Sequence, residues 1–150
     1  YDLAKSFNIT KFKLPITANY TFTDAEFKSN FESEFGEWGN VVSGDKLSYI
    51  ARDQFFVSLG LIHEKWAINV NAKYVGKMRN TAGSGQIAQD DVINSNFIID
   101  LATEYSIDQH VKVFFNVENL TDEQYIVARR PIGARPGKPF AVMTGVKYKF

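Results

Sequence analysis

The sequence predicts an all-β fold built from about six long antiparallel strands. Three observations lead to this prediction: six segments alternate apolar and polar residues, several reach about 10 residues, and short connections alternate with long ones. The composition agrees, because 15% of residues are aromatic, including 13 Phe, although the mean hydropathy is only -0.22. Many large apolar side chains are therefore diluted by regularly placed polar residues.

Each of the six segments is identified by its apolar residues, which occupy either the even or the odd positions; we call this choice the apolar parity. In 14–23, 66–75 and 140–150 the even-numbered positions are predominantly apolar or aromatic. In 55–62, 96–105 and 111–117 the odd-numbered positions carry this pattern. Because successive side chains of a strand point to opposite faces, each segment predicts a strand with one apolar face.

The connections between these strands differ in length on the two sides. Residues 63–65 and 107–110 form short turns, whereas 24–54, 76–95 and 118–139 form long loops. Soluble hairpins usually have short connections at both ends. Short turns on one side and long loops on the other are typical of an outer-membrane barrel.

Aromatic residues on the apolar parity cluster near both ends of the strands. Small or aliphatic residues fill the middle, as Ala18, Leu59, Val70, Leu101 and Thr144 illustrate. A soluble sandwich also has one apolar face, but it more often concentrates aromatic residues in its centre. Two aromatic belts around an aliphatic band favour a transmembrane β-barrel. The long-loop belt contains Tyr20, Phe22, Phe55, Tyr74, Phe97 and Phe140, and the short-turn belt contains Trp66, Tyr105, Tyr148 and Phe150.

Composition and motifs exclude several other classes of protein. Lys and Arg number 17, as do Asp and Glu, so the zero net charge argues against nucleic-acid binding. The absence of cysteine excludes disulfides and thiolate sites. The longest apolar run, 55–62, is too short for a membrane helix. No catalytic motif is present, and His63 and His110 lack metal-ligand spacing, so we expect neither an enzyme nor a metal site.

The C-terminal third contains a recognisable pattern. The run 117–125 reads VENLTDEQY, 130–137 reads RPIGARPG, and the chain ends at Phe150. This pattern resembles the C-terminus of TonB-dependent outer-membrane receptors. The segments 14–27 and 44–50 look like further parts of the same family and are most similar to its ferric-dicitrate subgroup.

The resemblance implies how the chain fits into a larger protein. Such receptors have 22 strands around a plug, so residues 1–150 would be the C-terminal portion of the barrel, without the plug and the earlier strands. Residues 1–7 would form the periplasmic end of the preceding strand and its turn. The short turns would be periplasmic, the long loops extracellular, and the protein would lie in the bacterial outer membrane.

The function implied by the resemblance is TonB-dependent uptake of an iron chelate, either ferric citrate or a siderophore. TonB would act through the missing plug, and this segment would bind no cofactor of its own. Two alternatives remain open: another outer-membrane barrel, such as a porin or adhesin, and a soluble β-sandwich binding module. We expect extraction behaviour and any upstream plug to separate them.

The closing strand provides a candidate assembly signal. Its apolar parity continues to the final residue, and the resemblance implies that the outer-membrane assembly machinery reads it. The signal comprises Val142, Thr144, Val146, Tyr148 and Phe150.

Cations in two long loops are the candidate ligand-binding residues. Guanidinium groups bind carboxylates in bidentate fashion, which suits an anionic chelate. These cations could instead pair with loop acids or with lipopolysaccharide phosphates. Three prolines and two glycines predict that the last loop lacks regular structure. The candidates are Lys77, Arg79, Arg129, Arg130, Arg135 and Lys138.

Overall fold

The structure is a computed structural model that describes residues 1–150. Six long strands form one antiparallel sheet in the order β1-β4-β5-β8-β9-β12, and three short hairpins lie in the long loops. The elements are α1 (Leu3–Ser6), β1 (Ile16–Phe22), β2 (Phe31–Glu32), β3 (Asn40–Val41), β4 (Asp53–Ile62), β5 (Trp66–Val75), β6 (Met78–Arg79), β7 (Val92–Ile93), β8 (Asn96–Ser106), β9 (Val111–Glu118), β10 (Ile126–Ala128), β11 (Arg135–Pro136) and β12 (Ala141–Tyr148).

The six predicted strands are confirmed, with ends that differ from the predicted limits by no more than two residues. The two predicted short turns join β4 to β5 and β8 to β9. The three long connections are named loop A (residues 23–52), loop B (76–95) and loop C (119–140). All three leave the same end of the sheet, which we call the long-loop end, and the opposite end is the short-turn end.

The register keeps the predicted apolar positions on one side of the sheet, which we call the apolar face. Tyr20 is the partner of Phe55, Phe55 of Tyr74, and Tyr74 of Phe97, so four aromatic residues form one row near the long-loop end. The Phe55 and Tyr74 rings stack with centroids 5.2 Å apart. This aromatic row confirms one of the two predicted belts.

An aliphatic band and a second aromatic group complete the apolar face. The band runs through cross-strand partners on five strands: Leu59, Val70, Leu101, Val117 and Val142. Near the short-turn end, Trp66 is the partner of Tyr105, and the Tyr148 and Phe150 rings meet edge to face. The face therefore has aromatic ends and an aliphatic middle, as the sequence predicts.

The opposite side, the polar face, carries all the charges of the long strands except Asp53 at the start of β4. Near the short-turn end Glu104 accepts hydrogen bonds from Lys112 Nζ at 2.7 Å and from Lys147 Nζ at 2.6 Å. These ion pairs join β8, β9 and β12. Gly145 lies opposite Phe114, whose ring occupies the space where a Cβ would project.

The few buried side chains lie mainly in the loops. Only 11 of 150 residues are buried, and the largest fully buried apolar ones, Val41 and Ile93, belong to the hairpins of loops A and B. Loop A also contains a cluster of edge-to-face rings in which Trp38 contacts Phe27, Phe31 and Phe35. The sheet itself has no second sheet packed on it.

Tyr1 and Asp2 pair with Ile16 and Pro15, as predicted for the end of a preceding strand. The turn that follows is helical over Leu3–Ser6, where Asp2 accepts from the Ala4 N–H. One detail of the sequence prediction is wrong. Loop C is not devoid of regular structure, because β10 and β11 pair. Pro136 is tolerated there because β11 lies at the edge of a two-stranded hairpin. None of the helical segments has the length and apolar character of a membrane span.

Candidate functional site at the long-loop end

Asn119 closes loop C at its base. Its side-chain amide donates to the carbonyls of Glu123 (3.0 Å) and Lys138 (2.9 Å), and its Oδ1 accepts from the Glu123 N–H (2.9 Å). Its own N–H donates to Asp100 of β8 at 2.8 Å. Asn119 is 1% exposed and has a φ of 50°, a conformation that asparagine tolerates better than most residues. One buried side chain thus joins both ends of the loop.

Tyr49 connects all three loops. Its N–H donates to the Arg79 carbonyl in loop B at 2.8 Å, and its hydroxyl donates to the Asn80 side chain. The same hydroxyl accepts from the N–H groups of Arg129 (3.4 Å) and Arg130 (3.2 Å) in loop C. A single phenol from loop A therefore bonds to both other loops, in addition to the backbone hydrogen bonds between Lys46 and Gly83 that join loops A and B.

A pocket of about 510 Å³ opens on the polar face below the loops. Its charged groups balance, since the cations Lys73 and Lys138 and the carboxylates of Asp100 and Glu118 all line it. The remaining lining is mixed and comprises Tyr49, Ala51, Gln54, Val75, Met78, Asn96, Ile98, Asn119, Tyr125 and Val127. This pocket can present phenols, amides and both signs of charge to a polar molecule.

A second cavity, of about 520 Å³, lies between loops A and B, and we call it the rim groove. Lys46, Arg52, Lys77 and Arg79 line it, together with the carboxylates of Asp24 and Asp53. Lys46 Nζ contacts Asp24 at 2.6 Å and Glu26 at 3.1 Å, and hydrogen bonds from both carboxylates raise the pKa of Lys46.

The six predicted ligand-binding cations do not form one cluster. Lys77 and Arg79 lie in the rim groove, where Lys77 is exposed and Arg79 donates to the Gly85 carbonyl. Arg129 Nε donates to the Val92 carbonyl at 3.1 Å, which ties loop C to loop B. The Arg130 guanidinium packs beside Gly36, so closely that a Cβ there would lie 2.7 Å from Arg130 Nη1.

The two other cations occupy different parts of loop C. Lys138 lies at the polar-face pocket, where Nζ contacts both Glu118 oxygens at 2.9 and 3.1 Å, and this carboxylate raises the pKa of Lys138. Arg135 is exposed in β11, and its side chain makes no hydrogen bond or ion pair.

The predicted assembly signal lies along an edge of the sheet. β12 pairs with β9 on one side and has no partner on the other. The apolar positions of β12 are all exposed, with Val146 at 67% and Phe150 beyond the strand fully exposed. These side chains, from Val142, Thr144, Val146, Tyr148 and Phe150, form a continuous apolar strip on the apolar face.

The comparison with protein families decides the origin of this sheet. The family described as "TonB dependent receptor-like, beta-barrel" matches residues 1–120. The chain belongs to the TonB-dependent receptor β-barrel family. The match covers the first five long strands, whereas most of the C-terminal pattern that carries the resemblance lies beyond residue 120. Two separate parts of the chain therefore point to one family.

Solved structures share the fold of this receptor segment. The ferric-catecholate import receptor Fiu from E. coli K12, in its closed form, matches with a TM-score of 0.68 and 20% identity over 91% of this chain and 19% of that chain. The siderophore receptor PiuA from Acinetobacter baumannii matches with a TM-score of 0.73 and 19% identity over 93% and 20%, respectively. The chain thus spans about a fifth of these receptors. No curated protein sequence matches it.

Membership in the TonB-dependent receptor family decides between the alternatives for the fold. A soluble β-sandwich needs two packed sheets, and this chain has one long sheet with an apolar face open to its surroundings. A porin or adhesin barrel is not the family that matches. The ferric-dicitrate subgroup is not confirmed by these comparisons.

The sequence predicts a turn at Asn119 and Asp122, because Asn and Asp favour turns, and both residues have a φ of 50° in the structure. It does not predict that Asn119 joins both ends of loop C, nor that Tyr49 contacts all three loops. For Tyr49 no local signal exists, because its partners in loop C lie 80 and 81 residues away. Lys46 and Arg52 were missed as well, because only the folded loops bring them beside Lys77.

Proposed function

We propose that residues 1–150 form the C-terminal part of the barrel of an outer-membrane receptor that imports an iron chelate. The observation that carries this proposal is a six-stranded receptor sheet whose edge strands, β1 and β12, lack a partner strand on their outer side and whose apolar face is exposed. Unpaired strand edges are not tolerated in a bilayer, so further strands of the full receptor would close the barrel. The apolar face would contact lipid, and the polar face would line the lumen.

The proposed cargo is ferric citrate or a siderophore complex. Support comes from the similarity to two receptors whose names refer to ferric catecholate and siderophore import. The cations of loop C favour an anionic chelate, because guanidinium and ammonium groups bind carboxylate or catecholate oxygens by charge-assisted hydrogen bonds. Arg135 is the strongest candidate, since it is exposed and unpaired, and Lys138 borders the pocket on the proposed lumen side.

The remaining loop C cations would act mainly by shaping the site. The Arg129 guanidinium donates to the Val92 carbonyl and that of Arg130 packs beside Gly36, so removing either side chain would alter the loops as well as the charge. We propose TonB as the energy-coupling partner, acting through a plug outside this segment. This barrel segment would carry out no chemistry on the cargo.

The test uses the full-length receptor in cells and after purification. Uptake and binding of ⁵⁵Fe-labelled ferric citrate and of a ferric catecholate are compared for the wild type, Arg135→Ala and Lys28→Ala. Lys28→Ala is the matched control, because it removes a cation from loop A instead of loop C. The proposal predicts TonB-dependent uptake of one chelate and weaker binding for Arg135→Ala alone. Uptake that persists without TonB would overturn the proposed energy coupling.

We also propose that the β12 strip is read during assembly in the outer membrane. Phe150→Ala removes an exposed aromatic side chain from the end of this strip, whereas Lys149→Ala alters the adjacent position and leaves the strip intact. We expect Phe150→Ala to reduce the amount of receptor in the outer membrane without changing chelate affinity per receptor. Reduced abundance for Lys149→Ala alone would contradict the proposed role of the strip.

A further inference from the structure

The polar-face pocket and the rim groove lie on opposite sides of one stretch of backbone. Residues 49–52 form the end of loop A and run directly into β4. Tyr49 and Ala51 line the pocket, whereas Ile50 and Arg52 line the groove. Because successive side chains of an extended chain point to opposite sides, this alternation makes residues 49–52 a wall between the two cavities.

The wall has a gap in its backbone hydrogen bonding, between Ala51 and Met78. The pairing of β4 with β5 continues one step past the strands, where the Gly76 N–H donates to the Asp53 carbonyl at 2.8 Å. In an antiparallel ladder every second pair of residues exchanges hydrogen bonds, so the next bonded pair would be Ala51 and Met78. No backbone hydrogen bond joins these two residues.

Met78 lies between the two cavities at this gap, since it is the only residue that lines both of them. Its unbranched, flexible side chain can change position without breaking a hydrogen bond. On the other side of the gap Ala51 is 3% exposed, yet neither its N–H nor its carbonyl makes a hydrogen bond within the protein. Buried backbone groups nearly always have partners, so Ala51 offers one donor and one acceptor to a ligand.

The two cavities differ in chemical character. The polar-face pocket contains two cations and two carboxylates, whereas part of the rim groove is apolar and is lined by Leu47, Ile50 and Ile87. The groove also includes Tyr74, a member of the aromatic row, so it leads towards the apolar face. A ligand that occupied both cavities would need a polar head and an apolar chain.

We infer that the gap beside Met78 is a side passage for the acyl chain of an amphiphilic iron chelate, whose polar head occupies the polar-face pocket. The chain would pass Met78 into the apolar part of the rim groove. An amide that links head and chain provides one N–H and one carbonyl, which are the partners that Ala51 lacks. The inference rests on the proposed function, because it takes the cargo to be an iron chelate and the polar face to line the lumen.

The experiment uses the full-length receptor purified in detergent. A ferric catecholate and a citrate-based ferric chelate are each prepared with an amide-linked dodecanoyl chain or with an acetyl group, and their binding is titrated for wild type, Met78→Trp and Met78→Ala. Met143→Trp is the matched control, because it enlarges the other methionine of the chain, which lies in β12 outside both cavities.

The readout is the preference of each variant for the dodecanoyl form over the acetyl form. Met78→Trp should lower this preference about tenfold, because the indole fills the gap and leaves methylene groups of the chain unburied. Its affinity for the acetyl form should be unchanged, and Met78→Ala and Met143→Trp should keep the wild-type preference. Partition of the chain into detergent affects all variants alike and cancels in the comparison.

A second measurement uses the wild type alone, so it tests the passage even where Met78→Trp does not fold. A dodecanoyl chain that ends in a photoreactive diazirine should label the rim groove at Leu47 or Ile87, as located by mass spectrometry of peptides. Phosphatidylcholine that carries the same diazirine is the comparison, and its labelling of the groove should fall when the acyl chelate is added.

The outcomes separate this inference from the proposed function. An equal preference for the dodecanoyl form in wild type and Met78→Trp would overturn the inference, as would labelling confined to the polar-face pocket. Labelling by phosphatidylcholine that the acyl chelate does not reduce would also overturn it, because the groove would then hold membrane lipid. Absence of binding by every chelate would overturn the proposed function as well. TonB-dependent uptake of the acetyl chelate without any dodecanoyl preference would overturn this inference alone.

Discussion

At the short-turn end, the β8–β9 turn is stabilised by residues within it, whereas at the long-loop end the stabilising partners come from distant parts of the chain. Asp108 Oδ1 accepts from the N–H groups of His110 (2.7 Å) and Val111 (2.9 Å). At the other end, the Tyr49 hydroxyl accepts from Arg129 and Arg130, which lie 80 and 81 residues along the chain. One end depends on local sequence and the other on tertiary contacts.

The contrast explains why the two ends can serve different purposes. A turn closed by one aspartate needs few residues and tolerates little variation in length. Loops that are fixed by hydrogen bonds to Asn119 and Tyr49 can be long and can vary in sequence elsewhere, and they still keep one common arrangement. We therefore expect substitutions at the long-loop end to have larger and more widely distributed effects than those at the short-turn end.

The largest effect is expected for Asn119→Ala. The substitution leaves the Glu123 and Lys138 carbonyls and the Glu123 N–H without their partner, and alanine is disfavoured at a φ of 50°. We expect a loss of about 3 kcal/mol in the free energy of unfolding, measured by urea titration of the receptor in detergent micelles.

Two further variants sharpen this measurement. Asn119→Gly tolerates the positive φ and loses only the hydrogen bonds, so it should retain most of the destabilisation. Asn116→Ala, in β9, is the matched control because its side chain makes no hydrogen bond, and it should change stability by less than about 0.5 kcal/mol. Similar losses for Asn116→Ala and Asn119→Ala would refute the role assigned to Asn119.

Tyr49→Phe tests whether one phenol holds the three loops together. The ring remains, but the N–H groups of Arg129 and Arg130 and the Asn80 side chain lose their partner. We expect a loss of about 1 to 2 kcal/mol and faster amide hydrogen exchange at Arg129 and Arg130. Tyr105→Phe, which removes an unbonded hydroxyl from the apolar face, should leave exchange in the loops unchanged. Faster exchange confined to loop A would show that Tyr49 does not couple the loops.

A smaller effect is expected for Glu104→Gln, at the short-turn end. This carboxylate joins Lys112 and Lys147, and partly exposed ion pairs of this kind contribute less than about 1 kcal/mol each. The unfolding midpoint in low salt should fall slightly, and the difference from wild type should shrink in 1 M NaCl because salt screens the pairs. A salt-independent difference would indicate that packing rather than charge is responsible.

The smallest effect is expected for Asp108→Asn, and it should depend on pH. Hydrogen bonds from the His110 and Val111 N–H groups lower the pKa of Asp108 below its ordinary value of 3.8. A carboxyl group with a lowered folded-state pKa stabilises the fold above its unfolded-state pKa and loses this contribution as pH falls through the folded-state value. The difference between variant and wild type should therefore be fully present at neutral pH and shrink as pH falls below 3.8 toward the lowered folded-state pKa. Unfolding titrations at pH 7 and at a series of pH values below 3.8 follow this change, and a difference that does not shrink with falling pH would exclude the charge as its cause.

The long strands, their facing and the two short turns could be predicted from the sequence because each depends on neighbouring residues. The alternation in 66–75 predicts β5 without reference to any partner, and matching the apolar sides excludes register shifts of one residue against β4 and β8. Asp108 likewise accepts hydrogen bonds from residues only two and three positions further along the chain. The helical turn at Leu3–Ser6 was missed because four residues carry too little periodicity to indicate a helix.

The sequence by itself determined the all-β class, the two aromatic belts and the family, because period-two patterning and short local runs express them directly. Only the tertiary structure decided that the six candidate cations separate into different places, and that Lys46 and Arg52 join Lys77 and Arg79 in the rim groove. The physical reason is that loop positions are set by a few polar side chains, above all the buried Asn119 and the half-buried Tyr49, whose hydrogen-bond partners are remote in sequence. Such contacts leave no periodic trace, whereas the burial of one strand face does.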